Sequence, residues 1–245
     1  MIDIKLKYQF SIFLNASDLN ATPKNISELM NEFMDKGFIP NTFQEISSLN
    51  PTPQNRFKLQ SPSGEWSVML GSSRIDIEQN PTNLKGSNLI SSKQFSTEAK
   101  DIIIRILTKF PRKGNRLSIV SRCLFNEMSN DQLNKVYGRL FNSPPLYVNN
   151  TPFEWNWRAV AKINKNIMAN NEEFNFVTTI NRINGEIRNG NEVSVVDRIE
   201  LGLDLNSIAQ NYDNRFGVEE IDFFMDNAYL WHNELQEEII NFIKK

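Results

Sequence analysis

The chain's one cysteine, Cys123, and its one histidine, His232, could together form a nucleophile and its general base. Cys123 lies in "SIVSRCLF", a pattern typical of a strand, where a free cysteine is usually a small buried apolar residue. His232 lies in "DNAYLWHNELQEEI", at helical spacing from apolar neighbours on both sides. This spacing predicts a neutral, structural His232 bonded to a carbonyl or carboxylate, and a functional histidine in a pocket is the alternative. We predict no catalytic residue. The apolar stripe is Ile221, Met225, Ala228, His232, Leu235, Ile239 and Phe242.

Polar residues on two neighbouring predicted strands form a candidate binding cluster. Side chains alternate between the two faces of a strand, so "EWNWRAVAK" separates its polar residues from its aromatic ones. Arginines beside aromatic residues suit stacking and phosphate contacts, and ordinary cross-strand ion pairing is the alternative. The predicted binding residues are Glu154, Asn156, Arg158, Lys162 and Arg182.

A later strand, "DRIELGLDLN", carries Asp197, Glu200 and Asp204 as an alternative, acidic cluster. Alternation places Glu200 and Asp204 on the same polar face. Paired carboxylates could hold a metal or perform acid–base chemistry, and a solvated strand face is the competing interpretation.

Several other chemistries are excluded by motif. The sequence has no GxxxxGK[ST], GxGxxG, HExxH, EF-hand loop or CxxC, and one histidine cannot supply a site that needs two. "EAK" at Glu98–Lys100 matches the ExK of some nucleases, but it lies in a predicted helix rather than at a strand edge. We therefore expect no metal and no cofactor.

The composition is that of an ordinary globular protein. The 245 residues are 40% hydrophobic and 23% charged, with 27 Lys and Arg against 29 Asp and Glu. This balance does not indicate nucleic-acid binding, although a local basic patch remains open. One cysteine excludes an intrachain disulfide, the N-terminus alternates like a strand rather than a signal peptide, and no apolar run could span a bilayer. We expect a cytoplasmic location and no membrane association.

Strands and helices alternate along the first half. Residues 4–14 predict a strand, and "ISELMNEFMDKGF" predicts a helix with Gly37 at its C-cap. "NRFKLQSPSGEWSVMLGSSRIDIEQN" predicts a hairpin turning at residues 62–64 and a further strand. "SSKQFSTEAKDIIIRILTKFP" predicts a long helix that starts at serines and ends before Pro111.

The second half repeats this order. "NRLSIVSRCLF" predicts a strand and "SNDQLNKVYGRLF" a helix capped by Ser129 or Asn130. Three strands follow, "PFEWNWRAVAKIN", "EFNFVTTINRI" and "VSVVDRIELGLDLN", with hairpin signals at Asn184-Gly185 and Asn189-Gly190. A long helix begins near Val218.

We therefore predict an α+β fold whose mainly antiparallel sheet has long helices on one face. The domain prediction is an N-terminal α+β half, residues 1–112, and a C-terminal α+β half, residues 113–245, joined in one compact unit. Two pseudo-repeated strand-helix-strands-helix halves are a hypothesis, because no residue-level repeat supports it.

Four stretches carry a family resemblance. "FKLQSPSGEWSVMLGSSRIDIEQN", "GNRLSIVSRCLF", "VVDRIELGLDLNS" and "LWHNELQEEIINFI" resemble, in this order, the turn-and-strand signature, central strand, late Asp-containing strand and closing His-containing helix of one family. It is a sporadically distributed, uncharacterised family of bacterial proteins of about this length. The resemblance implies a role near mobile-element, toxin–antitoxin or phage-defence loci, and implies no catalytic residues.

Three functions remain open. The first is a non-catalytic protein-binding subunit of a phage-defence or toxin–antitoxin system, with a protein partner encoded nearby and oligomerisation open. The second is a nucleic-acid-binding or metal-dependent effector that uses the polar sheet face of the C-terminal half. The third is a small-ligand sensor.

Overall fold

A nine-stranded antiparallel sheet organises the described part of the computed structural model, which comprises residues 2–47, 50–82, 89–189 and 192–244. Helices connect and pack against its strands, so the predicted α+β class with an antiparallel sheet is confirmed. The strands are β1 (Ile2–Phe13), β2 (Ile39–Ser47), β3 (Asn50–Gln60), β4 (Trp66–Leu70), β5 (Arg74–Gln79), β6 (Arg116–Phe125), β7 (Trp155–Ile167), β8 (Asn170–Asn189) and β9 (Glu192–Ser207). The helices are α1 (Pro23–Glu32), α2 (Ser92–Lys109), α3 (Asn130–Leu140), α4 (Pro145–Asn149) and α5 (Val218–Lys244).

The strand order is β2-β3-β4-β5-β1-β6-β9-β8-β7. The strands β1 and β6 pair with each other at the centre, where Phe10 lies opposite Ile119. One sheet therefore runs through both predicted halves, with β2 at one edge and β7 at the other.

Local signals position the helix ends. Ser91 and Ser129 each accept a hydrogen bond from the backbone N–H three residues later, and the glutamine there bonds back, forming capping boxes. Gly37 adopts a left-handed φ of 62° at the end of the 3₁₀ turn after α1, as predicted for a C-cap. The predicted turn at residues 62–64 also lies between β3 and β4.

The structure contains two elements that the sequence did not predict, and it contradicts one predicted turn. The strand β2 was not predicted, because Pro40 and Asn41 weaken its pattern and an edge strand tolerates both. The short helix α4 was also missed. The predicted turn at Asn184-Gly185 is wrong, because these residues stay within β8 and pair with Asp197 and Val196 of β9. The Asn189-Gly190 signal includes a residue outside the described part.

The core lies where α2 and α5 meet the sheet. Phe224 of α5 stacks on Phe174 at a ring distance of 5.9 Å, and its ring lies 6.3 Å from that of Phe10. Phe95 of α2 stacks on Tyr8, and the Ser96 hydroxyl donates to the Met225 carbonyl between the two helices. These contacts bury aromatic surface and orient one long helix against the other.

Strand periodicity gives the sheet two chemically different sides. Core side chains such as Phe10, Ile77 and Ile119 are buried and lie side by side on β1, β5 and β6. The alternate residues Ser11 and Asp76 are polar, and they hydrogen-bond to each other at 2.6 Å. We call these the core side and the polar side of the sheet.

The turn that joins β7 to β8 is strained at Met168, which has a φ of 54°. A left-handed backbone costs a residue with a side chain about 1 kcal/mol, whereas glycine adopts it freely. We expect Met168→Gly to raise the free energy of unfolding by about 0.5–1 kcal/mol in urea titrations. Ala169→Gly, at the next position and without a positive φ, should instead lower it, and equal effects of the two variants would contradict this assignment.

Candidate functional site

The segment between α3 and β7 exposes a cluster of apolar side chains. Leu146, Val148 and Phe153 are 63%, 66% and 69% exposed, and Tyr147 is exposed beside them. The helix α4 holds the first of these residues together, and Phe153 immediately precedes β7. We call Leu146, Tyr147, Val148 and Phe153 the apolar rim. Several large exposed apolar side chains in one short segment are typical of an interaction site.

A groove of about 860 Å³ adjoins the apolar rim. Tyr147 and Phe153 contribute aromatic walls, while asparagines contribute amide groups. Three of the predicted binding residues, Glu154, Asn156 and Arg182, line this groove. Its remaining lining residues are Asn150, Thr151, Pro152, Trp155, Asn181, Ile183 and Asn184.

Arg182 lines the groove from a buried position and is only 6% exposed. It donates to both carboxylate oxygens of Asp197, at 2.8 and 2.7 Å, and also to the carbonyl of Pro152 and the side chain of Asn130. The hydrogen bond between the two side chains raises the pKa of Arg182 and lowers that of Asp197. Arg182 therefore anchors the loop before β7 and the start of α3.

Trp155 supports the groove from the core side. Its ring packs against Tyr137 and Phe141, at 6.0 and 5.6 Å between ring centroids. Its buried indole N–H has no hydrogen-bond partner among the described residues. Aromatic packing thus fixes the first residue of β7, which directly follows the exposed Phe153 and Glu154 in the chain.

The predicted basic residues divide between the two sides of the sheet. Arg158 and Lys162 lie on the polar side, opposite Thr179 and Asn175 of β8. Arg182 lies opposite Trp155 on the core side, so the structure does not bring it together with Arg158 and Lys162. Lys162 pairs with Glu173 at 2.7 Å, whereas Arg158 makes no hydrogen bond or ion pair with a described residue.

The predicted acidic cluster is also divided. Glu200 and Asp204 lie on the polar side, on either side of Gly202, while Asp197 lies on the core side with Arg182. A shallow pocket of about 240 Å³ forms over Gly202. Arg122 binds Glu200 at 2.7 Å, and the Ser118 hydroxyl donates to Asp204 at 2.9 Å. Among the described residues, no group of three His, Cys, Asp or Glu side chains is placed to hold a metal ion.

Cys123 and His232 are buried in the core. Burial raises the pKa of the Cys123 thiol to about 12, with a smaller contribution from the charge of Glu200, so the thiolate is disfavoured. Burial lowers the pKa of His232 to about 4, against a smaller opposing contribution from the backbone of Leu203. Its Nδ1 lies 3.4 Å from the Ser121 hydroxyl, and its Nε2 has no partner among the described residues.

The stripe predicted for the last helix differs at its end. Phe242 is 48% exposed, and Ile243 is buried in its place. The predicted spacing drifted because a helix of 27 residues completes several turns, and 3.6 residues per turn moves the buried line by one position.

Sequence reasoning missed the apolar rim. The available signal was the apolar run "LYV" between Pro145 and Asn149, followed by Phe153, in a segment otherwise typical of a loop. Within the residues that the structure describes, no helix is long and apolar enough to cross a membrane. No protein-family model matches the chain, and no curated protein shows significant sequence similarity to it.

Proposed function

We propose that this protein is a non-catalytic protein-binding subunit that engages its partner through the apolar rim and the adjoining groove. The exposure of Leu146, Val148 and Phe153 carries this proposal. Leaving large apolar side chains in water is unfavourable, and a partner that covers them recovers about 25 cal/mol per Å² of apolar surface. The aromatic members of the rim, with amides around them, resemble the anchors and polar margin of protein interfaces.

The chemistry of the other candidate groups supports binding over catalysis. The Cys123 thiol and the His232 imidazole are both buried; the raised pKa of Cys123 disfavours its nucleophilic thiolate, and the lowered pKa of His232 makes its imidazole a weak base. Glu200 forms an ion pair with Arg122, and Asp204 accepts a hydrogen bond from Ser118, so each carboxylate has its own partner. Arg182 is committed to Asp197, so it holds the groove in shape.

The architecture suggests how the binding surface is supported. In our proposal α2 and α5 cover the core side, and the polar side remains available to a second molecule. The two halves would be a duplicated unit, because the first strand of each half, β1 or β6, pairs with the last strand of the same half, β5 or β9. The family resemblance adds a bacterial setting in a phage-defence or toxin–antitoxin system, with the partner encoded nearby, and the single cysteine favours the cytoplasm.

The proposal is tested by co-expressing the tagged chain with the products of its neighbouring genes. We expect one of these products to co-purify with the wild-type chain. Combined Leu146→Glu and Phe153→Glu changes should reduce the amount that co-purifies at least about tenfold, since buried anchors each contribute about 2 kcal/mol. Tyr212→Glu is the matched control, because Tyr212 is equally exposed outside the rim.

Thermal melting of the three purified proteins should give the same midpoint, because each replaced side chain is exposed. A partner that stays bound to the rim variant, or one that Tyr212→Glu removes equally well, would refute binding through the rim. Failure of every neighbouring gene product to bind would count against the subunit itself.

A further inference from the structure

The edge strand β7 is long and lacks the proline and the register shift that protect many sheet edges, and its only protective feature of this kind is the charge of Arg158, Lys162 and Lys165. It pairs with β8 without a register shift over its whole length, and it contains no proline. The opposite edge strand, β2, differs on both points, because it contains Pro40 and its register shifts between Glu45 and Ser47. Natural sheets usually blunt their edges with such features. β7 therefore presents a regular edge on which another strand can form.

The turn geometry shows which backbone groups of β7 are free. Ile167 pairs with Asn170 across the two-residue turn of Met168 and Ala169, so this closing pair exchanges hydrogen bonds within the hairpin. Bonded and non-bonded pairs then alternate along an antiparallel ladder. The odd-numbered residues of β7 thus bond to β8, and the even-numbered ones direct their N–H and C=O groups outwards. The outward residues are Asn156, Arg158, Val160, Lys162, Asn164 and Asn166.

The side chains along this edge differ between the two sides. On the polar side, Arg158 has no partner among the described residues, and Lys162 has only the half-exposed Glu173. On the core side, Ala159 and Ala161 have short apolar side chains, and Ala161 is exposed. The strand contains no carboxylate, and Lys165 adds a third positive charge over the Trp231 ring.

We propose that β7 accepts an extended acidic segment of the partner protein as a tenth, added strand. Backbone hydrogen bonds to the outward groups hold the segment. Its acidic side chains lie beside Arg158 and Lys162, and the alternate positions place apolar side chains beside Ala159 and Ala161. This inference rests on the proposed function, because the added strand belongs to the partner that binds the apolar rim and the groove, and β7 begins in that groove with Trp155 and Asn156.

A second copy of this chain fits the edge less well. Pairing β7 with β7 would bring two strands with three positive charges each and no negative charge together. Like charges across neighbouring strands are destabilising, whereas a segment of alternating glutamates complements them.

The test uses a capped peptide of about 12 residues in which glutamate and valine alternate, a length that matches β7 at about 3.4 Å per residue. Amide hydrogen exchange is measured by NMR with and without the peptide. We expect the outward amides, those of Arg158, Val160 and Lys162, to become protected on binding, while the amides of Ala159 and Ala161 are already slow in the free protein. A peptide of alternating lysine and valine should give no protection.

Two variants, each with a matched control variant, test how β7 recognises the peptide. Val160→Pro removes one outward N–H and should weaken peptide binding about tenfold or more, whereas Val160→Ala should change it less than twofold. Arg158→Glu should weaken binding about fivefold, and Lys24→Glu, the same charge change on exposed α1, should leave it unaltered.

Several results of these experiments would contradict strand addition at β7. Absence of binding at about 1 mM peptide, a limit of about −4 kcal/mol, would overturn strand addition. Equal binding of the lysine peptide would also overturn strand addition, as would binding of the glutamate peptide without protection of the outward amides. Protection by oligothymidylate instead of the peptide would indicate a nucleic-acid surface. If Val160→Pro retains the co-purified partner while the rim variant loses it, the proposed function stands and strand addition falls.

Discussion

Replacing Arg56 with methionine should lower the free energy of unfolding by about 3–5 kcal/mol. Arg56 is 0% exposed, and its guanidinium donates to three backbone carbonyls, those of Ala16, Ser17 and Leu70, at 2.6, 3.0 and 3.1 Å. Methionine has a similar length but no donor, so the three carbonyls would lose their partner, and the bonds to Ala16 and Leu70 are buried. Denaturant titration gives the change directly, provided that the slope with denaturant is unaltered.

The size of this effect reflects where the guanidinium lies. It connects the loop after β1 with the end of β4, and Glu45 lies 3.5 Å from its Nε. Burial lowers the pKa of Arg56, opposed by the charges of Glu45 and Asp18. Arg56 is thus a structural cation held mainly by carbonyl dipoles. Arg158→Met is the control, because Arg158 is exposed and should change stability by less than about 0.5 kcal/mol. A loss below about 1 kcal/mol for Arg56→Met would disprove this role.

Acidification should destabilise the protein through His232 by about 3 kcal/mol between pH 6.5 and pH 4. The imidazole is buried with a pKa of about 4 in the folded protein, against about 6.5 in an unfolded chain. Because the folded pKa is the lower one, the stability is fully present above pH 6.5 and is lost as the pH falls towards 4. In this window the unfolded chain binds a proton that the folded chain does not, which costs about 1.36 kcal/mol per pH unit.

Because the chain has one histidine, the pH dependence of the unfolding free energy can be assigned to His232. No other imidazole titrates between pH 5 and pH 7. His232→Gln removes the titrating ring, so its unfolding free energy should change much less over the same range. Carboxylates contribute equally to both proteins below about pH 5, and the difference between the two curves isolates His232. Parallel curves would mean that the folded protein accommodates the charged imidazole, contrary to its burial against Ser121.

Features governed by short-range periodicity could be predicted well. The alternation in β7 correctly separated Trp155 from Arg158, because side chains of a strand alternate whatever its neighbours are. The serine caps of α2 and α3 were recognisable for a similar reason, since a capping box involves residues three apart. Burial of His232 followed from its place on a helical stripe.

Features that depend on register could not be predicted in this way. The Asn184-Gly185 pair is a strong turn signal, yet β9 extends alongside it and supplies the ladder hydrogen bonds for a continuous strand. The sequence analysis groups Arg182 with Arg158 in one polar cluster. The register between β8 and β7 instead places Arg182 opposite Trp155, on the other side of the sheet from Arg158. A shift by one residue would exchange the two sides, and distant residues decide it.

The amino-acid sequence by itself determined the α+β class, the helix ends, the two-sided strands and the absence of several sequence motifs. Only the tertiary structure decided that Leu146 and Phe153 remain exposed, that Arg182 binds Asp197 and that β7 is an edge strand. The physical reason is the distance along the chain over which each effect acts. Propensity and periodicity act over a few residues, whereas exposure, ion pairing and edge position depend on which segments distant in the chain lie next to one another.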